Sequence, residues 1–265
     1  MNICLGFFGF IRKIINKDEF IKFIKLLPLY SNIDIFISSP SQYGEIENNV
    51  IDYESFKLSL KEVFNCNNIH IKLYNYNPFE FIKKVRTLNL PDYIEDTRCF
   101  PFRVISQHYS ISMLCKNIYE HIIQENKQYD NIILTRFDIL PTIESFGDCL
   151  IRKIEDSIHI IRTIPYYLNE HAEDRIILTS KLGLEKLKNL YNIYEPSCYK
   201  QFNIENNKFI PEYILYKYLN TFNDLLKLPQ IDIIIGMSPY INNKYNNNYY
   251  FNKLLKHEAD TLILT

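Results

Sequence analysis

Tyr129-Asp130-Asn131-Ile132-Ile133-Leu134-Thr135-Arg136-Phe137-Asp138-Ile139 is the stretch that decides how the chain is read. Its centre, residues 131–135, is a short apolar run. Such runs suit strands buried on both faces of a parallel sheet. The run passes straight into a charged pair, Arg136 and Asp138. In open α/β sheets, ligands bind beyond the carboxyl ends of the strands, so the pair stands where a site belongs. A carboxylate there can hold a hard cation through oxygen. A neighbouring arginine can grip phosphate through two parallel hydrogen bonds. The pair suits a nucleotide diphosphate with Mg²⁺ or Mn²⁺. It equally suits an ion pair capping a strand at the surface.

Strand and helix signals alternate on both sides of this stretch. Before it, residues 2–8, 33–38 and 69–73 read as strands. Asn16, with Glu19 three residues on, opens a helix with a capping-box pattern. Residues 53–64 read as a helix, and Pro78 opens another over 79–86. Residues 88–103, with Pro91, Pro101 and several charges, read as a long loop. Ser106 then starts a strong helix, because Ile111, Leu114, Cys115, Ile118, Ile122 and Ile123 fall at helical spacing. After the key stretch, 157–163 and 175–179 read as strands and 182–194 as a helix. Pro211 opens a helix through Leu219. The apolar run 231–235 ends at Gly236, and the Asn- and Tyr-rich segment 242–252 loops out. Residues 261–264 read as a last strand or a tail. No repeat and no linker divides the chain. The alternation predicts one α/β domain over residues 1–265, with a mainly parallel central sheet and helices on both faces.

Composition narrows the function classes. The 265 residues include 30 basic and 31 acidic side chains, so no nucleic-acid partner is expected. The six cysteines lie far apart, with no C-x-x-C pair, which argues against a zinc knuckle or redox motif. They point to a reducing compartment, hence a cytoplasmic protein. The apolar N-terminus lacks a basic region and a cleavage site, and reads as a first strand rather than a signal peptide. No run reaches the roughly 18 apolar residues of a membrane span. No P-loop, G-x-S-x-G or H-E-x-x-H motif is present.

Other residues add to the candidate site. Gly6-Phe7-Phe8-Gly9-Phe10-Ile11-Arg12 puts small residues at the first strand, where a ligand can approach the backbone. The glycines equally serve turn geometry alone. Ser106 is a reasonable helix N-cap. Beside it, Gln107 is a candidate hydrogen-bond donor, while His108 reads as a surface histidine. His171-Ala172-Glu173-Asp174-Arg175 offers two acids before a strand, for acceptor binding, for a general base or merely for a solvated turn. Glu212 follows Pro211, where an acid favours the helix macrodipole. The abundant aromatic residues are read as core.

The order of these motifs resembles a known family. A Gly/Arg-containing first strand comes first, then Ser106-Gln107-His108-Tyr109, then Tyr129-Asp130 with Arg136-Phe137-Asp138. Asp174-Arg175-Ile176 with Ser180, and Pro211-Glu212, complete the series. Over residues 1–220 this is similar to GT-A-type glycosyltransferase-like proteins of the viral and bacterial polysaccharide kind. The resemblance implies a GT-A-like fold that moves a sugar from a nucleotide-diphosphate sugar, such as a UDP-sugar, to a hydroxyl acceptor, a glycan for example. It implies donor contacts from Gly6, Gly9, Arg12, Gln107, Arg136 and Asp138. Asp138 matches the second acid of the family's metal-binding D-x-D motif, and Arg136 replaces the first. Asp174 matches a D-R position and is preferred over Glu173 for acceptor work, with Asp138 as the other catalytic candidate. His257 resembles a C-terminal metal-ligand histidine, so the metal candidates are Asp138 and His257, for Mn²⁺ or Mg²⁺. Two rivals stand beside this reading. One is a non-catalytic nucleotide-sugar or glycan-binding module. The other is a Mg²⁺-dependent nucleotidyltransferase.

Overall fold

The computed structural model describes residues 2–10, 32–41, 52–64, 68–94, 99–136, 157–160, 162–163, 176–204, 209–222, 226–227 and 230–233. Four parallel strands form its centre: β1 (Asn2–Phe8), β2 (Asn32–Pro40), β3 (Ile69–Tyr74) and β4 (Asn131–Arg136). β1 lies between β2 and β4, and β3 lies outside β2. The sheet continues past β4 with β7 (Ile176–Thr179), then β5 (Ile158–Ile160), then β8 (Leu226–Lys227). β7 runs antiparallel to both β4 and β5. β6 (Arg162–Thr163) and β9 (Gln230–Ile233) pair separately in a small sheet. The four apolar runs therefore share one mainly parallel sheet, as their alternation with helices predicts. Residues 157–163, expected as one strand, divide between two sheets.

Both faces of the central strands are covered. Ile3, Leu5 and Phe7 alternate with Cys4 and Phe8 along β1, and all five are buried. A strand with no wet face has no polar alternation to show. Helix α1 (Tyr53–Phe64) packs on β3. Asp52 caps it, accepting from the Ser55 hydroxyl at 2.7 Å and the Glu54 N–H at 3.2 Å. Helix α2 (Pro78–Thr87) starts with Pro78, and the Asn77 side chain accepts from the Phe79 N–H at 3.1 Å. Helix α3 (Pro101–Gln124) packs on β1 and β2. The β2–α1–β3 and β3–α3–β4 crossovers run in opposite directions across the sheet. Right-handed connections then place α1 and α3 on opposite faces.

Beyond β7 come α4 (Lys181–Leu187), a 3₁₀ turn (Leu190–Tyr194), α5 (Pro196–Phe202) and α6 (Pro211–Asn220). Residues 182–194, expected as one helix, thus break at Lys188 and Asn189. Helix α3 starts at Pro101, not at Ser106. Proline suits a first helical position, where its missing N–H costs nothing. Ser106 is no cap: it sits in the second turn, and its hydroxyl donates to the Arg103 carbonyl at 3.0 Å. Among the described residues no helix is long and apolar enough to cross a membrane. The helix expected from Asn16 and the segments 242–252 and 261–264 lie outside the described residues.

Candidate active site

The strand order turns between β1 and β4. From β1 the chain moves outward to β2 and β3, then returns to β4 on the far side of β1. A crevice opens at such a switch point, beyond the carboxyl ends of the two strands. Those ends are level, because Phe8 and Arg136 are register partners. Gly9 follows β1 with a φ of 90°, in the left-handed region that favours glycine. A Cβ on Gly9 would meet nothing within 4 Å. Backbone strain, not crowding, is what selects glycine there, and its surroundings are open.

Three contacts fix the direction of α3 along the sheet. The His70 and His121 rings lie 4.4 Å apart. Lys72 donates to the Asn117 carboxamide at 2.9 Å. The Tyr74 and Ser110 hydroxyls lie 2.6 Å apart. Each step toward the carboxyl end of β3 is a step toward the start of α3. The first two turns of α3, with Arg103 and Gln107, therefore stand at the carboxyl edge. Spacing of four residues puts these two side chains on one helical face. Both are half-buried, and the Gln107 Nε2 is buried without a hydrogen-bond partner. The Arg103 guanidinium lies over the Phe100 and Phe102 rings, at 5.2 and 5.8 Å. Sequence reasoning missed Arg103 because it fell in the segment read as a loop. The proline at a helix N1 position was the signal that could have placed it.

Two expectations need correction. Gly6 lies inside β1, beneath α3, and not at an open strand end. A Cβ there would come within 2.9 Å of Leu114, 3.0 Å of Leu134 and 3.1 Å of Ile118 side-chain atoms. Its small size admits the helix, so Gly6 does not face a donor. His108 is not a surface residue; it is fully buried. Its Nδ1 accepts from the Tyr194 hydroxyl at 2.6 Å, and its Nε2–H donates to the Pro211 carbonyl at 3.2 Å. Burial pushes its pKa down to about 3. His108 thus clamps α3 to the 3₁₀ turn and α6. Glu212, beside that clamp, opens α6 as an acid in a first turn and has a partner of its own. Burial, and next the Glu212 charge, push the Cys99 thiol up to about 12, with Arg103 opposing.

Arg136 is half-buried and engaged. Gly9, Gln107 and Arg136 are the predicted donor residues that gather at the carboxyl edge. Arg12, Asp138, Glu173, Asp174 and His257 lie outside the described residues. Both metal candidates, Asp138 and His257, are among these. The described strand ends are Phe8-Gly9-Phe10, Ser38-Ser39-Pro40-Ser41, Leu73-Tyr74-Asn75 and Thr135-Arg136. None carries a carboxylate, and α3 has no acid before Glu120. Hard divalent cations want several oxygens, carboxylates above all. Among the described residues no group of three His, Cys, Asp or Glu is arranged to hold a metal. The described ends of β1, β2, β3 and β4 thus bring no carboxylate of their own, while Glu212 of α6 acts on Cys99 just before α3.

A cleft of about 700 Å³ lies at the other end of the strands, lined by Asn2, Asn68, His70, His121, Glu125, Asn126, Lys127 and Gln128. It borders a buried cluster in which Asp34 is paired with Lys127 and accepts from the Tyr129 hydroxyl at 2.5 Å. Burial alone would raise the Asp34 pKa, but the Lys127 and Tyr129 hydrogen bonds and the Lys127 charge bring it below the usual value. These groups hold the amino edge of the sheet together. The switch point, not this cleft, is where strand ends and charged candidates converge.

No protein-family model matches the sequence, and no curated protein matches it. Among solved structures, the chain is similar to mouse xyloside xylosyltransferase 1 in its apo form. The identity is 11%, over 86% of this chain and 85% of that one, with a TM-score of 0.39. It is also similar to the galactosyltransferase LgtC in complex with donor and acceptor sugar analogs. There the identity is 10%, over 86% and 73%, with a TM-score of 0.44. A third is a glycosyltransferase involved in the glycosylation of the major capsid of PBCV-1, at 10% identity over 86% and 81%, with a TM-score of 0.38.

Proposed function

We propose that the chain is a GT-A-like glycosyltransferase, one α/β domain that moves a sugar from a nucleotide-diphosphate sugar to a hydroxyl acceptor, a glycan in the first instance. The observation that carries this reading is the meeting of Gly9 and Arg136 at the turn of the strand order, with Gln107 and Arg103 on the adjoining helix face. Arg136 and Arg12 neutralise the charge that grows on the departing diphosphate. Charge stabilisation aimed at the leaving group is commonly the largest catalytic contribution, about 3–4 kcal/mol per donor. Gly9 gives the nucleotide close backbone approach, and Gln107 offers it a hydrogen bond. Asp138 orients the donor sugar. Asp174 orients or deprotonates the acceptor hydroxyl. The dispersed cysteines support a cytoplasmic site of action.

The test is nucleoside diphosphate release from a panel of nucleotide sugars, preceded by a thermal-shift screen, because a bound ligand raises stability by mass action. One observation favours a second reading, a nucleotide-sugar or glycan-binding module: a fixed positive charge, Arg136, stands where the resembled family has an acid. Binding without turnover identifies that module. Release of pyrophosphate instead identifies a nucleotidyltransferase.

A further inference from the structure

We propose that the cleft at the amino edge of the sheet is a carbohydrate-binding site, separate from the candidate active site. Its volume of about 700 Å³ lies in the range of small-molecule sites. It opens where α3 ends, and His121 lies about 20 Å along that helix from Gln107 at the usual rise per residue. A small ligand held there does not reach the switch point, so the proposal is independent of the nucleotide-sugar reading.

The lining decides the class of ligand. Asn2, Asn68, Asn126 and Gln128 bring carboxamides, and His70 and His121 bring imidazoles. A carboxamide or a neutral imidazole both donates and accepts hydrogen bonds, and so does every hydroxyl of a sugar. An anion asks for donors alone and a cation for acceptors alone. No aliphatic or phenyl side chain lines the cleft, so an apolar ligand or a peptide anchor has nothing to pack on. Two charged residues complete the lining, Glu125 and Lys127. Lys127 is paired with the buried Asp34. Glu125 stands at the end of α3, where the helix dipole is negative, and both oppose a phosphate. A carboxylate accepts strongly from hydroxyl groups.

Much of this lining is held in place before a ligand arrives. Phe36 stacks on His70 with ring centroids 4.5 Å apart and meets the His121 ring at 5.1 Å. Burial, and next the neighbouring His121, lower the His70 pKa, so its ring is neutral at pH 7. The Asn68 side chain is hydrogen-bonded to Asp34. Asn2 donates to the Gln128 carbonyl and accepts from Asn32, both at 3.3 Å. Each of these carboxamides keeps a further N–H and a further lone pair for a ligand. Groups ordered in advance lose less freedom on binding.

Calorimetry tests the full chain against glucose, galactose, xylose and N-acetylglucosamine, and against a trisaccharide of each. At least one of these sugars is expected to bind with a Kd of about 1 mM or tighter. In spectra of labelled histidine it should move the His70 and His121 ring signals and leave that of His108 in place. Asn126 has a φ of 46°, so Asn126→Gly removes the carboxamide and keeps the backbone unstrained. Glu125→Ala removes the acid at an exposed position. Each variant should weaken binding by about fivefold or more, with circular dichroism as the folding control. A trisaccharide bound at least about tenfold tighter than its monosaccharide marks a segment of glycan, and equal affinities mark a free sugar; either supports the site. Absence of binding by every sugar overturns the proposal and leaves the glycosyltransferase reading intact, because no nucleotide sugar enters this titration. Binding that leaves both ring signals unmoved, or that both folded variants retain in full, also overturns it. So does inorganic phosphate that moves the two signals where no sugar does.

Discussion

Phe8 and Arg136 are register partners at the carboxyl ends of β1 and β4, one burying an aromatic ring and the other carrying a permanent charge. The pair marks the boundary between core and candidate site. Below it, Gly6 and Leu134 lie under α3. Beyond it, the chain turns at Gly9 on one side and continues toward Asp138 on the other. The same packing that fixes the level of Arg136 also fixes Arg103 and Gln107, because α3 is seated on Gly6.

Gly6→Ala tests that seating. The added methyl would crowd Leu114, Leu134 and Ile118 at 2.9 to 3.1 Å. These are the ends of flexible side chains, so the helix can yield at a cost. Overpacking of this degree should destabilise by about 1–3 kcal/mol. Gly183→Ala should cost more, since its methyl would fall 1.9 Å from the Thr179 hydroxyl and 2.6 Å from Ile158. Urea denaturation of the two variants checks both the loss and its order. Parent-like stability in Gly6→Ala would remove the close approach of α3 as an explanation for this glycine.

His108 predicts an acid sensitivity. Its folded pKa lies near 3, against about 6.5 in an unfolded chain, because burial disfavours the charged ring. Between those values the unfolded state binds more protons, so stability rises with pH. The contribution is complete above about pH 6.5 and is lost as pH falls toward 3, by at most about 1.4 kcal/mol per pH unit. His70, lowered first by burial, acts in the same direction. The urea midpoint of the parent should therefore fall steeply over this range. His108→Asn should be less stable at pH 7 and should lose part of that slope. An unchanged slope would mean that His108 does not supply it.

Asp34 adds a second acid-sensitive element at the opposite edge. Its pKa is lowered on balance, so its stability is present above the usual carboxylate range and is lost as pH falls through the depressed value. Tyr129→Phe removes the hydrogen bond at 2.5 Å from a carboxylate that is only 2% exposed. Leaving a buried acceptor short of one donor should cost about 1–3 kcal/mol. Urea denaturation at neutral pH gives that number. The effect should shrink at low pH, where the carboxyl is protonated in both proteins.

The central strands were legible because burial on both faces leaves an unbroken apolar run, as in 131–135. The start of α3 was not, since Pro101 and its charged neighbours look alike in a loop and in a first helical turn. That error hid Arg103. Gly6 was misread for a similar reason: glycine in a strand is written the same way whether a ligand or a helix approaches it. His108 carried no local mark of burial, because its partners Tyr194 and Pro211 are distant in sequence. Strand direction likewise leaves no local trace, so the antiparallel β7 could not be told from a parallel neighbour. What the sequence did mark was the charged pair after an apolar run. The register of β1 with β4 puts the first member of that pair, Arg136, at the switch point.

The last prediction separates enzyme from binder through the two halves of that motif. Arg136 stands at the end of β4, and its charge is expected to act on the diphosphate as it leaves. Negative charge on the leaving group is greatest in the transition state, so the interaction should strengthen there. Arg136→Ala should then lower kcat by about 10²-fold, the loss typical of one electrostatic donor. It should also raise the KM for donor, since part of the contact exists in the ground state. Asp138→Asn should abolish sugar transfer in a folded protein, because its carboxylate is assigned to placement of the donor sugar. The assay is nucleoside diphosphate release from a donor panel, run in EDTA and in Mn²⁺, with circular dichroism as the folding control. A change in KM alone for Arg136→Ala would make this residue a ground-state anchor and end its leaving-group role. Full activity in folded Asp138→Asn would refute the site assignment. A parent that binds donor and never turns over would identify the binding module, and in that case both substitutions should weaken binding alone.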